Sequence, residues 1–217
     1  MQNDTDSRVY KARDGTDDVR RWMEITQYNG LNHLDIWNTK YGNMINGTDG
    51  YGFAPFLESP PDIFIDLLCR SFHLSSSPAE NQKSHSKTKF ILSWDTFATP
   101  ETVPENINFC VGGHCPKAGL LNMTECTRTQ FGVSIPLVVS FPYLCNADSS
   151  ILEEIELGTS CSSNFQNLEN ENSIETYVKL DTDTGLVFEA KKQMQLNMFI
   201  QQNLIKRNRF DLKMTPF

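Results

Sequence analysis

The chain has 217 residues, with 19 Lys and Arg against 27 Asp and Glu and a formal net charge of −8. That length is enough for one large or two ordinary domains with a proper core, and the charge excludes the basic stripe of a nucleic-acid binder. The acidic residues are spread out and read as a solvated surface. No apolar run approaches the roughly 18 residues of a membrane span; the longest, 133–145, is interrupted by Pro136, Ser140 and Pro142.

Strand signals dominate from the start. Residues 8–12 and 22–28 alternate loosely and are followed by Asp14-Gly15 and Asn29-Gly30, which are turn dipeptides. The stretch GNMINGTDGYGFAPF at 42–56 carries Gly47, Gly50 and Gly52 among apolar side chains. Its backbone is relaxed at several points, so it predicts a loop or tight corner. Residues 63–74 and 89–94 predict partly or fully buried strands. The polar segment 75–87 between them predicts a surface loop, and 99–108, with Pro100 and Pro104, a second one. Residues 134–143 are apolar on both faces and contain two prolines, which fits an edge strand or an extended piece of barrel wall. A short helix is expected over 148–157, capped by Asp148, Ser149 or Ser150.

The clearest hairpin comes late. Residues 175–180 alternate, Asp181-Thr182-Asp183-Thr184-Gly185 turns, and 186–200 returns as one long strand. On that return Met194, Leu196, Met198 and Ile200 share one face, while Gln193, Gln195 and Asn197 share the other. The turn lacks the ligand and glycine order of a calcium loop, with Lys192 where the closing glutamate belongs. The chain is therefore mainly antiparallel β, with long loops, short helices and no internal repeat.

Three Asn-x-Thr acceptor triplets begin at Asn3, Asn46 and Asn122, and such triplets matter only in the secretory pathway. The six cysteines, Cys69, Cys110, Cys115, Cys126, Cys145 and Cys161, are even in number, as a disulfide framework in an exported protein would be. A zinc site from Cys110, His114, Cys115 and Cys126 is the rival. Adjacent His114 and Cys115 and the missing knuckle spacing argue against it. Acceptor triplets without an apolar leader are expected of a piece of a longer exported protein, whose true start need not be Met1. No nucleophile elbow, phosphate loop or His-Glu-x-x-His helix is present, and His33, His73, His85 and His114 are scattered. The sequence predicts neither an enzyme nor a cofactor or metal site.

Asn43-Met44-Ile45-Asn46-Gly47-Thr48-Asp49-Gly50, followed by Pro55-Phe56, resembles the signature of the class B scavenger receptors. This is the family of fatty acid translocase, the high-density-lipoprotein receptor and the lysosomal integral membrane protein. Further stretches match in family order. They are YNGLNHLDIW (28–37), similar to the preceding strand, LCRSFHL (68–74), CPKAGLLNMTEC (115–126), SFPYLCNAD (140–148) and the Asp-x-x-Thr-Gly hairpin over 177–200. Tyr143 stands where the family usually has histidine. Gly42 stands where it has a cysteine, and that cysteine's partner position, near residue 108, is not cysteine either.

The resemblance implies an antiparallel β-barrel ectodomain, of which residues 1–217 are the middle and later part. Both membrane helices and much of an apical helical bundle would be absent. It implies a receptor in the plasma or lysosomal membrane that passes fatty acids, sterol esters or lipoprotein lipids through an apolar tunnel. Met194, Leu196, Met198 and Ile200 would line that tunnel in part. The other readings are a protein-escort or adhesion receptor with a protein ligand at the apex, and a truncated product inactive alone. By family position the pairs are Cys69–Cys126 and Cys110–Cys115, leaving Cys145 and Cys161 as a third candidate pair. Asn46 and Asn122 would carry sugars, with Asn3 a third acceptor.

Overall fold

A computed structural model describes residues 8–77, 87–154 and 174–198. Among these residues ten strands form three antiparallel sheets, and only two short α-helices are present. Strands β1 (Tyr10–Ala12) and β2 (Ile25–Tyr28) make a small ribbon. Strands β3 (Asp62–Ile65), β4 (Arg70–Ser76), β5 (Lys87–Leu92), β8 (Tyr177–Asp181) and β9 (Val187–Lys191) form a sheet in the order β3-β4-β5-β8-β9. Strands β6 (Leu120–Asn122), β7 (Leu137–Ser140) and β10 (Gln195–Met198) form another in the order β10-β7-β6. The fold is mainly β, curled into half a barrel.

Period-two patterning explains which faces are inside. In β4, Phe72 and Leu74 are buried while His73 between them is exposed; in β8, Val178 and Leu180 are buried. These side chains join Phe64, Phe90, Leu121 and Val139 in the main core. Its aromatic part is edge-packed: Phe141 lies 4.6 Å from Trp94 and 5.0 Å from Phe97, centroid to centroid. Helix α1 (Thr124–Phe131) follows β6 directly and ends at Gly132 in the left-handed conformation. Helix α2 (Ser149–Glu154) brings Ile151 against Leu120, Val138 and Leu144 in a second cluster. The β6–β7 pair is thus covered on both faces.

Four expectations are corrected. Residues 63–74 are not one strand but the hairpin β3–β4, because Cys69 takes the left-handed conformation and donates its N–H to the Asp66 carbonyl. Residues 28–37 hold no strand beyond Tyr28, only isolated bridges such as His33 with Met44. Strand β7 is central rather than an edge, since Pro136 and Pro142 fall outside its four residues and leave every ladder N–H intact. The return over 186–200 is broken at 192–194: β9 stays in the five-stranded sheet and β10 crosses to the three-stranded one.

Two glycines fix how the loops seat on the sheets. Gly47 (φ 82°) passes the backbone of Asp62 so closely that a β-carbon would lie 1.9 Å from the Asp62 carbonyl oxygen. Gly185 (φ 75°) has the same relation to the carbonyl oxygen of Phe53. Each demands a positive φ and an empty side-chain position at once. Gly47→Ala preserves the Asn46 acceptor triplet, and Gly185→Ala touches no acceptor. Each is nevertheless expected to destabilise the fold by roughly 3 kcal/mol or more. Chemical denaturation of the secreted variants checks this, and a loss below 1 kcal/mol would refute the close approach.

Candidate functional site

The signature corner is built around one buried amide. Asn43 Oδ1 accepts from the backbone N–H groups of Ile36 and Trp37 at 3.0 and 2.8 Å, and Nδ2 donates to the carbonyls of Trp37 and Thr39 at 2.6 and 3.0 Å. The side chain therefore does for this irregular loop what a sheet ladder would otherwise do. Trp37, so held, stacks edge-on with Phe109 and donates its indole N–H to the Cys69 carbonyl at 2.6 Å. Gly42 packs against Trp37, and a β-carbon there would come within 2.7 Å of the Asn108 carbonyl oxygen. Residues 42 and 108 thus remain neighbours without a disulfide. A relay joins them instead: Gly42 N–H donates to Thr39 Oγ1, and that hydroxyl donates to Asn108 Oδ1 at 2.7 Å.

The acceptor asparagines lie at element boundaries. Asn46 is half-buried; its backbone N–H donates to Ser71 Oγ at 2.8 Å, and its side chain borders a shallow groove with Tyr41, Asp62 and His73. Thr48 is buried, paired in parallel with β3 and accepting from Gly50 N–H. Asn122 closes β6, where its Oδ1 accepts from Thr124 N–H at 2.9 Å and opens α1. Asn3 lies outside the described residues.

Cys69 and Cys126 are disulfide-bonded, as are Cys110 and Cys115. With these sulfurs committed, the zinc reading of Cys110, Cys115 and Cys126 falls. Among the described residues no group of three metal-ligating side chains gathers elsewhere. Cys145 is also disulfide-bonded, while Cys161 lies outside the described residues.

The apolar row of the late hairpin divides. Met194 packs on the main core. Leu196 and Met198 lie on β10, at the outer edge of the three-stranded sheet, and are 66 % and 53 % exposed. Their register partners are Val139 and Leu137, and Val139 is fully buried. Directly opposed residues point to one face, so Leu196 and Met198 stand on the face that turns toward the main core. Ile200 lies outside the described residues. The opposite face of β10 is polar: Asn197 donates to Ser140 Oγ at 3.0 Å, and Gln195 Oε1 accepts from Tyr143 N–H at 2.7 Å. On the outer side of the hairpin, Glu189 is held below the ordinary carboxylate range by the Tyr177 hydroxyl and then by Lys179.

Nothing in the sequence marks Lys192 as a contact residue. It donates to the Asp49 carbonyl at 3.1 Å and so pins the crossing between β9 and β10 onto the signature corner. Only a lysine placed between two strands that leave for different sheets could have flagged it. Among the described residues no helix is long and apolar enough to cross a membrane.

A family model described as the CD36 family matches residues 1–214. Lysosome membrane protein 2 from Mus musculus is 28% identical over 204 residues, covering 93% of this chain and 39% of that protein. The Homo sapiens protein of the same name gives the same identity and coverage. Scavenger receptor class B member 1 from Mus musculus is 29% identical over 201 residues, covering 92% of this chain and 36% of that protein. The chain spans well under half the length of these relatives.

The two described disulfides differ in what they constrain. Cys69–Cys126 spans 57 residues and Cys110–Cys115 only 5. In the chain-entropy model the longer loop stabilises by about 4 kcal/mol and the shorter by about 2. Denaturant midpoints of Cys69→Ser/Cys126→Ser and Cys110→Ser/Cys115→Ser double variants test this order. Equal losses would show that local strain, not loop length, decides.

Proposed function

The chain belongs to the CD36 family, and on that footing we propose that its intact protein is a membrane-anchored receptor for long-chain lipids. Fatty acids, sterol esters and lipoprotein lipids are the substrate class, and they move along an apolar tunnel to the membrane. The observation that carries this reading is the position of Leu196 and Met198, turned to the core side of the sheet yet open to solvent. An apolar row on an inner face that no described residue covers suits a lumen, and methionine adapts to irregular acyl chains at low cost. The role is binding and transfer rather than catalysis. The destination is the plasma or lysosomal membrane, in keeping with relatives named for a lysosome membrane protein and for a scavenger receptor at nearly equal identity. Asn46 and Asn122 carry N-linked sugars in the secretory pathway, since both stand at boundaries with part of the side chain in solvent.

A protein-escort role is the second reading, which the family resemblance implies for a receptor of the lysosomal type. Both readings share the barrel but differ in what the inner row does.

Leu196→Trp and Met198→Trp in the intact receptor are expected to cut uptake of labelled fatty acid or sterol ester severalfold while surface expression stays near the parent level. In a closed core the same changes would overpack by about 1–3 kcal/mol and lower expression instead. Normal uptake by well-expressed variants at both positions would remove β10 from the lipid path.

A further inference from the structure

We propose that Arg70 anchors a buried site for one monatomic anion of the size of chloride or bromide. Arg70 is only 7 % exposed, on the inward face of β4. Its guanidinium lies 3.4 Å from the centre of the Phe109 ring and 5.1 Å from that of Phe72. It donates from Nη1 to the Thr96 carbonyl at 3.3 Å and from Nη2 to Asn106 Oδ1 at 3.2 Å, both at the long end for such bonds. Nε is buried with no acceptor, and no carboxylate pairs with the group among the described residues. Asn106 cannot serve further, because its Nδ2 is committed to the carbonyls of Asp95 and Ala98. Burial pulls the Arg70 pKa down to about 9, which leaves the group a cation at neutral pH.

A buried charge is costly unless it is paired, and the ring faces supply only part of the compensation. Beside Arg70 is a cavity of about 20 Å³, lined also by Thr96, Asn106, Cys110, Leu120 and Leu121. That volume has room for a small guest. A monatomic anion suits so small a space better than a branched oxyanion does. Apart from Arg70, its neighbours are apolar or already hydrogen-bonded. Among the described residues none brings negative charge to the cavity, and a halide supplies it in the space available. Held there, the anion joins β4 to the 96–110 loop and to the Cys110–Cys115 bridge.

The test uses the purified full chain at constant ionic strength with sodium sulfate, chloride or bromide. General salt effects favour sulfate, which is excluded from protein surfaces and strengthens burial. A halide site reverses that order, with chloride and bromide raising Tm by roughly 3–5 °C over sulfate. Arg70→Gln is expected to abolish the halide increment. Because that variant can lose its fold, bromide-soaked crystals of the unaltered chain provide an independent arm: an anomalous peak beside the guanidinium is expected. Sulfate stabilising more than chloride, or a cavity whose density scatters only as water, would overturn the proposal.

Discussion

Phe53 and Gly185 meet backbone to backbone, 132 positions apart in the sequence, with no space between them for a single methyl group. Phe53 N–H donates to the Gly185 carbonyl at 3.1 Å, Phe56 N–H to Asp183 and Leu57 N–H to Thr182 at 2.8 Å. At the other end of the same segment, the Gly47 carbonyl accepts from Ile25 N–H in β2, and Thr48 exchanges bonds with β3. Residues 47–57 thus form a strap that ties the first ribbon, the edge of the five-stranded sheet and the β8–β9 turn together. Closing a loop of that length costs chain entropy before any contact repays it. The strap repays it with backbone hydrogen bonds and buried apolar side chains, of which Phe53, almost fully buried, is the anchor. The glycines of GNMINGTDGYGFAPF are therefore not slack. They allow a backbone to lie directly on a backbone at two separate places.

Much of this was legible in the sequence where local chemistry and period agreed. The turn at 181–185 is one case: Asp181 Oδ1 accepts from Asp183 and Thr184 N–H groups, and Gly185 takes the positive φ. The capped start of α2 is another, since Asp148 Oδ1 accepts from Ser150 N–H at 2.9 Å. The hairpin at 66–69 was illegible for the opposite reason. It contains no glycine, proline or asparagine, and a cysteine adopts the left-handed conformation there, a cost that propensity cannot announce. For β7 the sequence leaves an edge strand and a piece of barrel wall both open, because proline near a strand often marks an edge; the two prolines bracket the strand without entering it, and the edge alternative falls. The break at 192–194 was invisible to a period-two pattern, which continues unchanged through a crossing between sheets. The same pattern separated the two faces of β10 but could not say which of them would be open.

The neighbourhood of Trp37 shows how polar bonds hold together two positions that the family resemblance would join by a disulfide. Gly42 and Asn108 occupy adjoining positions and are joined through Thr39 by two hydrogen bonds. Each contributes about 1 kcal/mol net, less than a disulfide over a loop of that length. Around them lie the four bonds of Asn43 and the indole bond of Trp37 to Cys69, the residue that anchors the longer disulfide. Covalent and polar constraints therefore converge on one layer, formed by Trp37, Phe109, Arg70 and the Cys69–Cys126 bridge. The cation in the middle of that layer is compensated in part by the aromatic faces and the Thr96 and Asn106 acceptors that surround it.

The crossing from β9 to β10 connects this rigid layer to the open face. Thr176 and Gln193 bond each other twice, through Thr176 Oγ1 with the Gln193 carbonyl and with its N–H, and Lys192 reaches the Asp49 carbonyl. The chain thus leaves one sheet and enters the other from a fixed point, and the register of β10 against β7 follows from it. A slip of one residue would turn Leu196 and Met198 to the face where Asn197 now bonds Ser140, and would carry Asn197 onto the apolar side. The buried hydroxyl of Ser140, fully enclosed, opposes that slip because it would lose the amide partner it has on β10. The polar face of β10 sets the register, and the register holds the apolar row on the inner side. The side to which that row turns is then set by hydrogen bonds of the fold and not by chance at a loose edge strand.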